Sequence, residues 1–186
     1  MLRQLPNMIS LFRIVLVWPI VDGLLTEQFV LAWWLFVVAG ISDGVDGYLA
    51  RRFDWRTDLG ATLDPLGDKL LLVSSYLVLG WLAQLPVWLV VLVILRDIII
   101  IAGTMIYQRI TGDKVIQPLM ISKINTVAQI LLVTVVIFSL AYWALPMLLT
   151  QIFIYIVALT TLSSGVSYMV VWTRRAHQTV KGRQEQ

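Results

Sequence analysis

The chain has 186 residues, 59% of them hydrophobic and only 13% charged, and its mean hydropathy is +0.85. A soluble globular domain carries about twice that share of charge, so the composition excludes one and points to a protein that crosses a membrane several times. With no cysteine there are no disulfides or thiolate metal sites, and a net charge of +3 gives no ground to expect a nucleic-acid partner.

Residues 1–10 read as a short interfacial segment and 11–25 as the first span, slightly short if Arg13 snorkels to the near surface. That apolar run contains Arg13 and Pro19 and has no small-residue cleavage site, so it is expected to be a retained helix rather than a signal peptide. No Arg/Ser-rich transit stretch precedes it, which favours a bacterial inner membrane over an organelle. Asp22, Gly23, Thr26 and Glu27 make the first turn. The second helix, 29–51, is apolar up to Gly40 and then rich in aspartate. A polar turn with Arg51, Arg52, Arg56 and Gly60 leads to a third helix, 64–83, with Pro65 in its first turn. Gln84-Leu85-Pro86 turns the chain into a fourth span, 87–110, interrupted by Arg96 and Asp97. A polar loop at 111–117 precedes the fifth span, 118–142; Leu145-Pro146 then turns into the sixth, 147–172, ahead of a basic tail. The expected architecture is an all-α integral membrane protein of six transmembrane helices in one domain, residues 1–186.

Orientation follows from the Lys and Arg residues at the span ends. Arg3, the loop after span two, Arg109, Lys114 and Lys123 around the loop after span four, and Arg174, Arg175, Lys181 and Arg183 in the tail hold nearly all of them. The three opposite turns hold none, which places both termini on the cytoplasmic side. Trp33, Trp34, Trp81, Trp88 and Trp143 fall near the other ends, as an outer aromatic belt requires.

Asp43, Asp46, Asp64 and Asp68 sit in or beside apolar runs, where an unpaired carboxylate costs several kcal/mol. Asp43 and Asp46 are three apart near the end of one helix, and Asp64 and Asp68 are four apart near the start of the next, so each pair shares a face. A short turn between antiparallel helices would bring all four together on the cytoplasmic side. Carboxylates a few ångströms apart raise one another's pKa unless cations neutralise them, and oxygen ligands select a hard divalent ion such as Mg²⁺, Mn²⁺ or Ca²⁺. Two such ions could clamp a pyrophosphate. Taken singly, Asp64 before Pro65 is a plausible helix cap, and Asp43 or Asp46 a partner for Arg51 or Arg52. Against those readings, Asp43 and Asp46 lie near a helix C-terminus, where negative charge is disfavoured and a bound cation would explain it. Gly47, one turn beyond Asp43, leaves room for a ligand or a neighbouring helix, and Gly60 is expected to give the turn a positive φ.

Arg13, Lys69, Arg96, Asp97 and Lys123 all lie near the cytoplasmic ends of their spans, where they can snorkel. They would also rim the aspartates with positive charge, with Arg96, Lys123 and Arg13 as candidate contacts to an acceptor or phosphate. Asp97 is a candidate partner for Arg96 or Lys123. A divalent-cation transporter is the rival reading, since intramembrane carboxylates also mark ion paths. It would need polar groups continuing outward, and spans two and three are almost wholly apolar on their outer halves.

The stretch Asp43-x2-Asp46-Gly47-x2-Ala50-Arg51-x8-Gly60-x3-Asp64-x3-Asp68 resembles, at every defined position, the signature of the CDP-alcohol phosphotransferases, integral membrane enzymes of phospholipid synthesis. The resemblance implies a homodimer with two Mg²⁺ or Mn²⁺ ions, in which a CDP-linked alcohol, usually CDP-diacylglycerol, donates its phosphatidyl group to a hydroxyl and releases CMP. It implies that Asp43, Asp46 and Asp64 bind metal, that Asp68 is the general base and also touches metal, and that Gly47, Ala50, Arg51 and Gly60 hold the nucleotide. The segments LPNMISLFR and LRDIIII resemble the branch that makes phosphatidylglycerophosphate or cardiolipin. ISKINTVAQ is closer to the eukaryote-type cardiolipin synthases, which use phosphatidylglycerol; the glycerol-3-phosphate enzymes resemble GKIKT here, with a second lysine in place of Asn125. They also tend to carry an arginine late in span four, where Gly103-Thr104-Met105-Ile106-Tyr107 offers none. A phosphomonoester dianion wants more cationic contacts than a diester, so the resemblance favours phosphatidylglycerol as acceptor, with glycerol-3-phosphate as the alternative.

Overall fold

A computed structural model describes the backbone of residues 5–53, 58–111 and 120–184, and their side chains except at 5–7, 46, 48–51, 58–65, 106–108, 110, 111 and 172–184. Six helices and no strand occur among the described residues: α1 (Leu5–Leu25), α2 (Phe29–Arg52), α3 (Asp58–Trp81), α4 (Val87–Thr111), α5 (Met120–Ala141) and α6 (Met147–Gln184). Among the described residues, four have apolar stretches long enough to cross a membrane: Met8–Leu25, Val87–Met105, Met120–Ala141 and Met147–Val171. The apolar part of α2, Phe29–Val45, is shorter because Asp43 and Asp46 interrupt it. The protein is thus an all-helical, multi-pass membrane protein.

Three helices extend beyond the lengths expected from hydropathy. α1 starts at Leu5 instead of residue 11, with Pro6, whose fixed φ suits a first turn, beside its start. α3 starts at Asp58 instead of residue 64. An aspartate at a helix start complements the dipole, and Leu59, Ala61 and Leu63 are acceptable helix residues, so the helix begins before the apolar run does. Gly60 therefore lies inside α3 rather than in a turn, Pro65 is no longer in a first turn, and Asp58 opens a helix rather than sitting in a loop. α6 runs on to Gln184, well past residue 172, because its basic tail is rich in Arg, Lys, Gln and Ala. Arg56 and the polar loop around Lys114 lie outside the described residues.

The chain divides into two compact units, one made of Met1–Pro86 with Val133–Thr150, the other of Val87–Leu132 with Gln151–Gln186. In the first, α1 packs on both α2 and α3. Its buried stripe is Ser10, Arg13, Leu16, Ile20 and Leu24, spaced three or four apart as one helix face requires. α2 buries Ala32, Phe36 and Ala39, and α3 buries Leu71, Leu72, Ser75, Tyr76 and Leu79. Two glycines allow close helix approach. A Cβ on Gly23 would lie 3.4 Å from that of Ala32, and one on Gly67 would lie 3.4 Å from Ile14 Cγ1 and 3.8 Å from the Ser10 carbonyl oxygen. Trp33 packs its ring against Phe138 and Tyr142 at 5.6 and 5.5 Å, an aromatic cluster at the end expected to face outward.

In the second unit α6 buries Val157, Thr161, Ser164 and Tyr168 at alternating spacings of four and three. α5 buries Asn125, Ala128, Gln129 and Leu132, and α4 buries Leu89, Val93, Arg96 and Asp97. Half of these are polar, which is uncommon in an apolar bundle and demands partners.

Candidate active site

Arg13 is the most deeply buried cation of the described chain, 1% exposed on the α1 face that meets α2 and α3. A guanidinium there requires counter-charge, and it has two carboxylates. Its Nη1 lies 2.6 Å from Asp43 Oδ1 of α2, and the same nitrogen donates a hydrogen bond to Asp68 Oδ1 of α3. The arginine is enclosed, while the two aspartate side chains are 43% and 41% exposed. Gly67, next to Asp68, is buried against α1, where a Cβ would stand in ordinary contact with Ile14 and 3.9 Å from Arg13 Cδ. Arg13 therefore does not snorkel to the surface; it is held inward by the acidic pair.

The two aspartates that hydropathy alone would leave 25 residues apart thus meet at one nitrogen. Asp46 lies one turn along α2 from Asp43, and Asp64 one turn before Asp68 on α3; the side chains of both lie outside the described residues, as do those of Ala50, Arg51 and Gly60. Gly47 sits in α2 and is half-buried. Lys123 is exposed at the start of α5.

A divalent ion suits this donor set. The oxygens of Asp43 and Asp68 share one positive partner, so they are near enough to share a metal, they are hard donors, and they remain open enough to solvent for an ion to reach them. Beside Asp43, an open groove of about 360 Å³ runs between α1 and α2, lined by Met8, Ile9, Phe12, Ile41, Ser42 and Val45. Its wall is apolar apart from Ser42, whose hydroxyl is turned to the Val38 carbonyl at 2.7 Å.

Arg96 forms a second polar centre, within the other unit. Its Nη1 donates to Asp97 Oδ1 at 2.7 Å, and its Nη2 donates to Ser122 Oγ of α5 at 2.6 Å and to Ser164 Oγ of α6. One guanidinium therefore ties three helices together. Asn125, one turn beyond Ser122 on α5, is fully buried and receives the hydroxyls of Thr160 and Thr161 at 2.9 and 2.8 Å. Asp97 pairs with Arg96, one of the two partners expected for it. The roles of Ser122, Ser164, Thr160 and Thr161 are not readable from the sequence, because a hydroxyl in an apolar helix is as easily satisfied by its own backbone, as Thr126 is by the Ser122 carbonyl at 3.1 Å.

An all-helical membrane protein with half-exposed carboxylates converging from two helices has the features of an enzyme that handles a charged group at a membrane surface. Residues 3–177 match the family model for CDP-alcohol phosphatidyltransferase, and the chain belongs to that family, whose members are transferases of substituted phosphate groups. It is similar to the human cardiolipin synthase (CMP-forming), 31% identical over 95% of this chain and 64% of the relative. It is similar also to CDP-diacylglycerol–glycerol-3-phosphate 3-phosphatidyltransferases: that of Bacillus subtilis (strain 168), 32% identical over 72% of this chain and 69% of the relative, and that of Blochmanniella floridana, 28% identical over 89% of each. The chain spans less than two thirds, 64%, of the human relative's length.

Proposed function

We propose that this protein transfers the phosphatidyl group of CDP-diacylglycerol to phosphatidylglycerol, giving cardiolipin and CMP, with Mg²⁺ or Mn²⁺ at Asp43, Asp46, Asp64 and Asp68. The reading rests above all on the meeting of Asp43 and Asp68 at one cation, in a chain that carries the family signature around them. The acceptor hydroxyl oxygen attacks the phosphatidyl phosphorus, the bond from phosphorus to the CMP oxygen breaks, and CMP leaves with the bonding electrons. Asp68, already able to accept a hydrogen bond, takes the hydroxyl proton. Gly47, Ala50, Arg51 and Gly60 hold the nucleotide, and the groove along Phe12 and Ile41 offers an apolar wall for an acyl chain. Bound metal supplies charge neutralisation at the pyrophosphate and at the departing CMP.

Phosphatidylglycerol is favoured as acceptor by two features of the second unit. Arg96, a cation that a phosphomonoester could use, is already engaged by Asp97, Ser122 and Ser164. Asn125, where a second lysine would mark a glycerol-3-phosphate enzyme, is buried against α6 hydroxyls. Six spans with both termini in the cytoplasm of a bacterial cell, the acidic site at the inner membrane's cytoplasmic face, and a homodimer complete the proposal. Asp68→Asn tests the base directly: CMP formation should fall about 100-fold or more while CDP-diacylglycerol binding stays within about threefold of wild type. Lost binding with turnover near the wild-type rate would remove Asp68 from that role.

A further inference from the structure

We propose that Arg13 competes with the metal for its carboxylates: it neutralises Asp43 and Asp68 and is displaced from them when a divalent ion binds. This inference rests on the metal reading above. Its physical basis is that one atom, Arg13 Nη1, touches an oxygen of each carboxylate, so two residues that would hold an ion already share one cation. A guanidinium and a divalent ion sharing the same two carboxylates repel each other strongly at a few ångströms. Arg13 is 1% exposed, so it cannot swing into water while the α1 face stays closed. Its release from the carboxylates therefore accompanies a local rearrangement where α1 meets α3, at the contact of Gly67 with Ser10 and Ile14.

Two consequences have opposite signs. Removing Arg13 leaves two carboxylates of neighbouring helices without their shared partner, which lowers stability in the metal-free state. It also removes the positive charge that competes for the ion's carboxylates, which tightens metal binding. A residue that merely props up the site would lose both stability and metal affinity, so affinity is the readout that separates the two roles.

The test uses the full chain purified in detergent, stripped with a chelator and titrated with Mn²⁺ by calorimetry, with no substrate present. Arg13→Gln should bind Mn²⁺ about tenfold more tightly than wild type. Its melting temperature should be lower in chelator and should rise more than that of wild type on saturation. Arg13→Lys keeps the charge on a more flexible, differently shaped head and should fall between the two; should the glutamine variant fail to fold, a few-fold tightening in the lysine variant decides the matter. Equal or weaker Mn²⁺ binding by the variants, with wild type binding normally, overturns the displacement role alone. Absence of Mn²⁺ binding in wild type and variants overturns the metal reading and this inference together.

Discussion

At the scale of single residues, the charges inside this protein are settled by pairing more than by access to the membrane surface. Arg13 lies near the end of its span, where snorkelling is the expected solution, and Arg96 lies at the middle of Val87–Met105, yet both turn inward to aspartates. The Arg96–Asp97 pair gives a clear energetic expectation. Arg96→Leu alone takes from the buried Asp97 carboxylate its paired cation and should cost about 3–5 kcal/mol, whereas Arg96→Leu with Asp97→Leu removes both charges and should regain most of that loss. Equilibrium unfolding in mixed micelles measures the two; a double variant less stable than the single one would show that the pair contributes more than mutual neutralisation. That Asp43 and Asp68 belong to consecutive helices was legible in the sequence, because helical periodicity is short-range. The partnership of Arg13 with them was not, because a cation near the start of a span is as readily explained by access to the membrane surface as by a buried partner.

At the scale of elements, hydropathy located every helix but misplaced the ends where helix and apolar run part company. α2 and α4 end within one residue of their expected limits, although each continues past its apolar run. α3 and α6 continue into polar sequence, where Asp58 and the Arg- and Gln-containing tail sustain backbone hydrogen bonding without any apolar signal. The consequence for the site is specific: Gly60 belongs to the same helix as Asp64 and Asp68, so the signature occupies two helices and the short segment between them. The turns shifted too: Asp22 and Gly23, expected in the first turn, lie inside α1, and Ala83, expected in the third helix, lies in the turn that follows it. Glu27 and Ala83, at φ 60° and 55°, take the left-handed conformation that ends α1 and follows α3, and Gln84 N–H closes the latter turn on the Leu79 carbonyl at 2.9 Å.

For the whole molecule, the uneven distribution of Lys and Arg is the ground on which the acidic site is proposed to face the cytoplasm. The native chain has no cysteine, so single introduced cysteines report sidedness without background. A membrane-impermeant maleimide applied outside intact spheroplasts should label Gln84→Cys, in the turn after α3, and should label Gln184→Cys, at the end of α6, only after permeabilisation; the reverse pattern would put the aspartates on the outer side. The most direct test of the chemistry is mass spectrometry of the lipids formed when purified protein, reconstituted with CDP-diacylglycerol and Mn²⁺, receives phosphatidylglycerol or glycerol-3-phosphate in turn. Cardiolipin and an equal amount of CMP should form with phosphatidylglycerol. Phosphatidylglycerophosphate formed only with glycerol-3-phosphate would contradict the acceptor, and no CMP with either would contradict phosphatidyl transfer itself.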